Sequence, residues 1–105
     1  MVIKFAEEYL RELYIFGKCS SKKHRFQPEI VGKYVKTINI LESVNSTKDL
    51  YRYNSANYEI LHGNKQDLES VRVNDKYRII FKFNKVISET EITICDILEL
   101  SNHYK

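Results

Sequence analysis

The chain has 105 residues, a length that predicts a single domain over residues 1–105 with a hydrophobic core of its own. Hydrophobic residues make up 43% of it and charged residues 30%, a balance that excludes a disordered chain, and no apolar run approaches the length of a membrane span. The net charge of +3 alone gives only weak support for a polyanionic partner.

Two features bear on location and metal binding. Cys19 and Cys95 are far apart and form none of the short spacings of a zinc site, so we expect free thiols. The first residues include Glu7 and Glu8, and no apolar signal core follows them. These observations predict a protein of the reducing cytoplasm without a metal site or a membrane partner.

The first half of the chain has the spacing of two helices. A helix is predicted over residues 4–17, because apolar side chains recur from Phe5 to Phe16 at helical intervals and Gly17 follows them. Residues 18–27 are polar and basic, and we expect a solvated loop there. Pro28 suits the first turn of a second helix, which is predicted to continue to about Val44 with one apolar stripe.

The second half changes to the alternation of β-strands. Strands are predicted over residues 58–61, 68–73, 77–83 and 89–96, followed by a polar and aromatic closing stretch. Because helices come first and strands later, we predict an α+β fold. In it, two N-terminal helices pack on one face of a three- to four-stranded antiparallel sheet.

The turn between the second and third of these strands determines which residues face each other. A two-residue loop at residues 74–75 would pair Arg72 with Tyr77 and turn Arg72 toward the apolar face, which is costly for an unpaired charge. A three-residue loop at 74–76 pairs Arg72 with Arg78 and leaves the large apolar side chains together on the other face. Burial of the core therefore favours the three-residue loop.

Two arginines that face each other repel, so the pattern calls for a negative group near them. One interpretation is a bound phosphate, for which the guanidinium fork is well suited. The other is a carboxylate of the chain itself, either Glu69 or Asp96. The residues alone leave both open.

The same stretch resembles the HigB-type branch of the RelE/ParE toxins. The motif occurs here as LHGNK at residues 61–65, ESVRVN at 69–74 and YRI at 77–79, and the terminal LSNHY at 100–104 is also similar. The order of two helices and then a sheet agrees with the family over nearly the whole chain. The family usually has glycine after the basic turn and an aromatic residue before the serine, where this chain has Gln66, Asp67 and Glu69.

The resemblance implies a toxin of a type II toxin–antitoxin pair that cuts mRNA on the ribosome without a metal or cofactor. The ribose 2′-hydroxyl would attack the neighbouring phosphate. It also implies the roles of particular residues: Arg72 and Arg78 would hold the phosphate, His103 would move a proton or orient the RNA, and the RNA contacts would come from Lys65, His62 and Tyr104. Ordinary turn, surface or packing roles remain open for the two histidines and for Tyr104.

The resemblance implies partners as well. They are a cognate helix-turn-helix antitoxin, the ribosome with its mRNA, and operator DNA reached only through the antitoxin complex. Two other functions remain open. One is a ParE-like toxin directed at DNA gyrase, and the other is a non-catalytic RNA-binding or interaction domain. The acidic residues Asp67 and Glu69 beside the basic strand favour the latter, because they oppose an electrostatic grip on RNA.

Overall fold

The computed structural model describes residues 1–61, 68–87 and 91–102 of the chain. In these ranges one strand comes first, three helices follow it, and four strands come last. The strands are β1 (Val2–Phe5), β2 (Glu59–Ile60), β3 (Glu69–Arg72), β4 (Arg78–Ile87) and β5 (Glu91–Ser101), and the helices are α1 (Glu8–Phe16), α2 (Pro28–Ser43) and α3 (Thr47–Leu50). Two short 3₁₀ turns, Lys22–His24 and Asn54–Ala56, lie between them.

All five strands form one sheet in the order β1-β5-β4-β3-β2. The pairs β2–β3, β3–β4 and β4–β5 are antiparallel, whereas β1 runs parallel to β5 with Val2 opposite Ile94. The predicted α+β class is therefore confirmed. The predicted sheet of three or four antiparallel strands is corrected to a mixed sheet of five.

The fifth strand was missed because Phe5 fits the helical spacing of the residues after it. In the structure Phe5 belongs to β1, and α1 begins only at Glu8. The partner of β1 is some ninety positions away in β5, and no local pattern reveals such a pairing. The end of α1 agrees with the prediction, since Gly17 adopts a φ of 75° and its N–H donates to the carbonyl of Leu13.

The helix α2 follows its predicted bounds closely. Pro28 occupies its first turn, and the helix ends at Ser43. Its buried apolar side chains belong to the predicted stripe, with Tyr34, Ile38 and Leu41 fully inaccessible. They pack with α1 residues Leu10 and Leu13 into one core over the sheet. Thr37, which the pattern placed on the polar face, is also buried, and its hydroxyl donates to the carbonyl of Lys33.

The sheet places its apolar side chains under the helices as predicted. Val71, Ile79 and Phe81 are fully buried, and Val73 is 9% exposed. The last strand is longer than expected, because β5 continues to Ser101 instead of ending near Asp96. A bulge between Ile80 and Phe81 shifts the pairing of β4 with β5 at this point, so that Ile97 and Leu100 both reach the core.

Candidate active site

The β3–β4 turn has the predicted register. Arg72 pairs with Arg78, and the N–H of Val73 donates to the carbonyl of Tyr77 over 2.9 Å. The side-chain oxygen of Asn74 accepts hydrogen bonds from the N–H groups of Lys76 and Tyr77, at 2.9 and 2.8 Å, and so closes a three-residue loop. The two arginines therefore belong to the sheet face that the apolar core does not use.

Their surroundings nevertheless differ. Arg72 is exposed and forms an ion pair with Asp75, three residues further along the turn. An ion pair of two exposed side chains contributes little to stability. Arg72 therefore remains accessible to a phosphate that would replace Asp75.

Arg78 is buried, with 3% of its surface exposed. Its Nε donates to the hydroxyl of Ser70 over 2.9 Å, and its Nη2 donates to the carbonyl of Asn57 over 2.6 Å. The same Nη2 lies 3.9 Å from a carboxylate oxygen of Glu59. The expectation that both arginines lie on the surface is thus wrong for Arg78, because the segment that ends at Asn57 approaches its guanidinium.

The carboxylates beside the arginines, Asp75 at Arg72 and Glu59 at Arg78, are not the two that the sequence suggested. Glu59 in β2 is opposite Ser70 in β3, and this register brings it to the face of Arg78. Asp96 instead accepts a hydrogen bond from the side chain of Asn84. Sequence reasoning missed Glu59, Ser70 and Asn57, and the only signal was the alternation that puts Ser70 on the face of Arg72.

Glu69 lies on the other side of the sheet. Its carboxylate accepts hydrogen bonds from the hydroxyl of Tyr58 and from the N–H of Phe83. Burial raises the pKa of Glu69 above its ordinary value, and these two hydrogen bonds oppose the rise. Burial and the neighbouring carboxylate of Glu69 also raise the pKa of Tyr58. This acid therefore does not act on Arg72 or Arg78 directly.

Four of the predicted site residues, His62, Lys65, His103 and Tyr104, lie outside the described residues, as does the acidic residue Asp67. The structure shows where their chain neighbours are. The N–H of Leu61 donates to the carbonyl of Leu68 over 2.9 Å, so the two described residues on either side of His62 and Lys65 are neighbours in the fold.

The structure also shows the surroundings of His24 and of the two cysteines. The ring of His24 stacks on Tyr9 with centroids 3.6 Å apart, and its Nδ1 lies 3.0 Å from the hydroxyl of Ser21, so this histidine is part of the packing of its loop. Both cysteines are free, as expected, and burial raises the pKa of the Cys95 thiol to about 12. None of the helices in the described ranges is long and apolar enough to cross a membrane.

Comparison with known proteins identifies the family. The model of the HigB-like toxins, described as RelE-like toxins of type II toxin–antitoxin systems, matches residues 3–94. Toxin HigB-1 of Vibrio cholerae serotype O1 is 30% identical over 84 residues, which cover 79% of this chain and 84% of the relative.

Two solved structures share the fold. The YoeB/ParE toxin from Agrobacterium tumefaciens superposes with a TM-score of 0.56 at 15% identity, over 99% of this chain and all of that one. The YoeB dimer from Staphylococcus aureus gives a TM-score of 0.50 at 19% identity, over 99% and 98% of the two chains. With its fold, its facing arginines and a family match over most of its length, the chain belongs to the HigB-like toxins of type II toxin–antitoxin systems.

Proposed function

We propose that the protein is an endoribonuclease that cuts mRNA on the ribosome and is restrained by an antitoxin. The observation that carries the proposal is the group in which Arg72 pairs with Arg78 across two strands and Glu59 lies 3.9 Å from Arg78. Two cations and one carboxylate meet the needs of phosphodiester cleavage, in which negative charge accumulates on a phosphate while protons move. Membership of the HigB-like toxins supports the same reaction class.

In the proposed reaction the ribose 2′-oxygen attacks the adjacent phosphorus and the bond to the 5′-oxygen breaks. The products are a cyclic phosphate and a 5′-hydroxyl, and no metal or cofactor takes part. Arg72, which is exposed, would bind the non-bridging oxygens, and Arg78 would add positive charge from beneath. Glu59 is partly exposed and would accept the proton of the 2′-hydroxyl. His103 would return a proton to the leaving oxygen, because an imidazole side chain can gain and lose a proton near neutral pH.

The remaining site residues would bind RNA. Lys65 and His62 belong to a segment that starts and ends beside β2 and β3, so we place them near the path of the RNA backbone. Tyr104 follows β5 closely and would stack on an exposed base. The roles of these three residues are taken from the resemblance to the toxin family and are part of the proposal.

The partners follow from the family. A type II system pairs a toxin with an antitoxin, and we propose a helix-turn-helix antitoxin that also links the toxin to operator DNA. The ribosome and its mRNA would be the targets, in the cytoplasm. Expression without the antitoxin is expected to arrest growth, and co-expression is expected to restore it.

The test is single-turnover cleavage of a labelled mRNA on purified translating ribosomes, in parallel with a gyrase supercoiling assay. We expect cleavage in the first assay and unchanged supercoiling in the second. Loss of supercoiling without cleavage would favour the gyrase-directed alternative. Inactivity of the folded protein in both assays, with retained RNA binding, would favour a non-catalytic domain, an alternative consistent with the carboxylates beside both arginines.

A further inference from the structure

The guanidinium of Arg78 is held by two segments of the chain that are distant in sequence. Its Nε donates to the hydroxyl of Ser70 over 2.9 Å, and its Nη2 donates to the carbonyl of Asn57 over 2.6 Å. Two bonds from different atoms of one planar group restrict both its position and its rotation. An arginine with a single contact would retain more of its side-chain freedom.

An unusual backbone conformation directs the carbonyl of Asn57 toward the guanidinium of Arg78. Asn57 has a φ of 42° and a ψ of 58°, the left-handed region that residues other than glycine, asparagine and aspartate rarely occupy. The turn before it is anchored in the core by Ala56, which is 3% exposed. The carbonyl of Asn57 therefore belongs to a turn that is fixed by packing in the core.

Ser70 has a position that favours an apolar side chain. It is fully buried in β3, between Glu59 of β2 and Ile80 of β4. A buried hydroxyl is costly without a hydrogen-bond partner, and the guanidinium of Arg78 supplies one. The serine thus stabilises one orientation of the arginine from a fully buried position.

We infer that Ser70 and the carbonyl of Asn57 are a positioning device that holds the Arg78 guanidinium in one orientation before RNA binds. The inference rests on the proposed function and deepens it, because it adds two groups that act through Arg78 without contacting the RNA. A cation already in place needs no reorganisation as charge develops on the phosphate. A displacement of about 1 Å at a reacting group is enough to cost about a hundredfold in rate.

The experiment is a double-mutant cycle on the single-turnover cleavage rate, with wild type, Ser70→Ala, Arg78→Ala and the double variant. We expect Ser70→Ala to lower the rate about tenfold and to have no further effect in the Arg78→Ala background. Tyr34→Phe is the matched control, because it also loses one buried hydroxyl bond, that to the carbonyl of Leu10, within the helical layer. It should keep the wild-type rate.

A second measurement does not depend on activity. The Nε–H of Arg78 should give a slowly exchanging nuclear magnetic resonance signal in the wild type and in Tyr34→Phe, and a rapidly exchanging one in Ser70→Ala. Slow exchange in Ser70→Ala would overturn the inference. So would a tenfold loss of rate from Ser70→Ala that persists without Arg78, or wild-type cleavage by folded Ser70→Ala.

Arg78→Lys is the further variant if Ser70→Ala does not fold. Lysine keeps the charge, but its single ammonium group cannot reproduce the two bonds of the guanidinium. A loss of at least tenfold would support the inference, and cleavage within twofold of wild type would contradict it. A wild type that never cleaves RNA would remove the proposed function, while the exchange measurement would still decide whether Ser70 holds Arg78.

Discussion

Arg72 and Arg78 face each other at the turn end of the same two strands, yet the side chain of Arg72 is exposed and that of Arg78 is buried. Arg72 is paired with Asp75 of its own turn, and both side chains are exposed. Arg78 is buried with partners from another segment of the chain, Asn57 and Glu59. The approach of this segment to Arg78 makes that arginine part of the fold, whereas Arg72 stays exposed. The two side chains should therefore respond differently to the same substitution.

The largest expected effect is on catalysis by the exposed arginine. Arg72→Ala should reduce single-turnover cleavage of ribosome-bound mRNA by about 10²–10³, the usual loss for one donor to a developing charge. The free energy of unfolding of Arg72→Ala should differ from that of wild type by less than about 0.5 kcal/mol, because the side chain of Arg72 is on the surface. Lys18→Ala is a control that removes an exposed cation just after α1. A wild-type cleavage rate for folded Arg72→Ala would remove this residue from the site.

The next largest effect is a difference in stability between the alanine variants of the two arginines. Arg78→Ala should lower the free energy of unfolding by about 2–3 kcal/mol, because it leaves buried acceptors on Ser70 and Asn57 without their donor. Urea denaturation of this variant beside Arg72→Ala measures the difference directly. Equal stabilities would mean that the buried network does not form in solution, and the contrast between the arginines would then be lost.

The smallest effect concerns the acid on the opposite side of the sheet. Burial raises the pKa of Glu69 above its ordinary value of 4.5, so the folded protein binds this proton more tightly than the unfolded chain does. Stability should therefore fall as the pH rises from about the ordinary value to the raised one, and the loss should persist at neutral pH. Glutamine cannot ionise, so Glu69→Gln does not bury a charge near pH 7. The variant should therefore be more stable than wild type at that pH.

The measurement is urea denaturation of wild type and Glu69→Gln between pH 4 and pH 8. The gain of the variant should be smaller than the loss in Arg78→Ala, because Glu69 is only half-buried and keeps two hydrogen bonds. The advantage should disappear below the ordinary pKa, where both states are protonated. Parallel pH profiles for the two proteins would show that burial does not perturb this carboxyl group.

The spacing of apolar residues along the chain was enough to predict part of this structure. The apolar stripe of α2 and the alternation around Arg72 predict one helix and one hairpin with its register, because each depends on neighbours within a few residues. Two partners of Arg78 come from residues 57 and 59, outside that hairpin, and no periodicity indicates such a contact. β1 was missed for the same reason, since its partner is at the other end of the chain.

The parallel pairing of β1 with β5 has a consequence for synthesis. β1 leaves the ribosome before the helices and the other strands of the described ranges, but its hydrogen-bonding partner, residues 94–97 of β5, is translated after the helices and after β2, β3 and β4. During elongation β1 therefore has an unsatisfied edge, and the sheet cannot close until late in translation. We expect the nascent chain to be open to chaperones or to early-binding partners for most of its synthesis, before the arginine face is assembled.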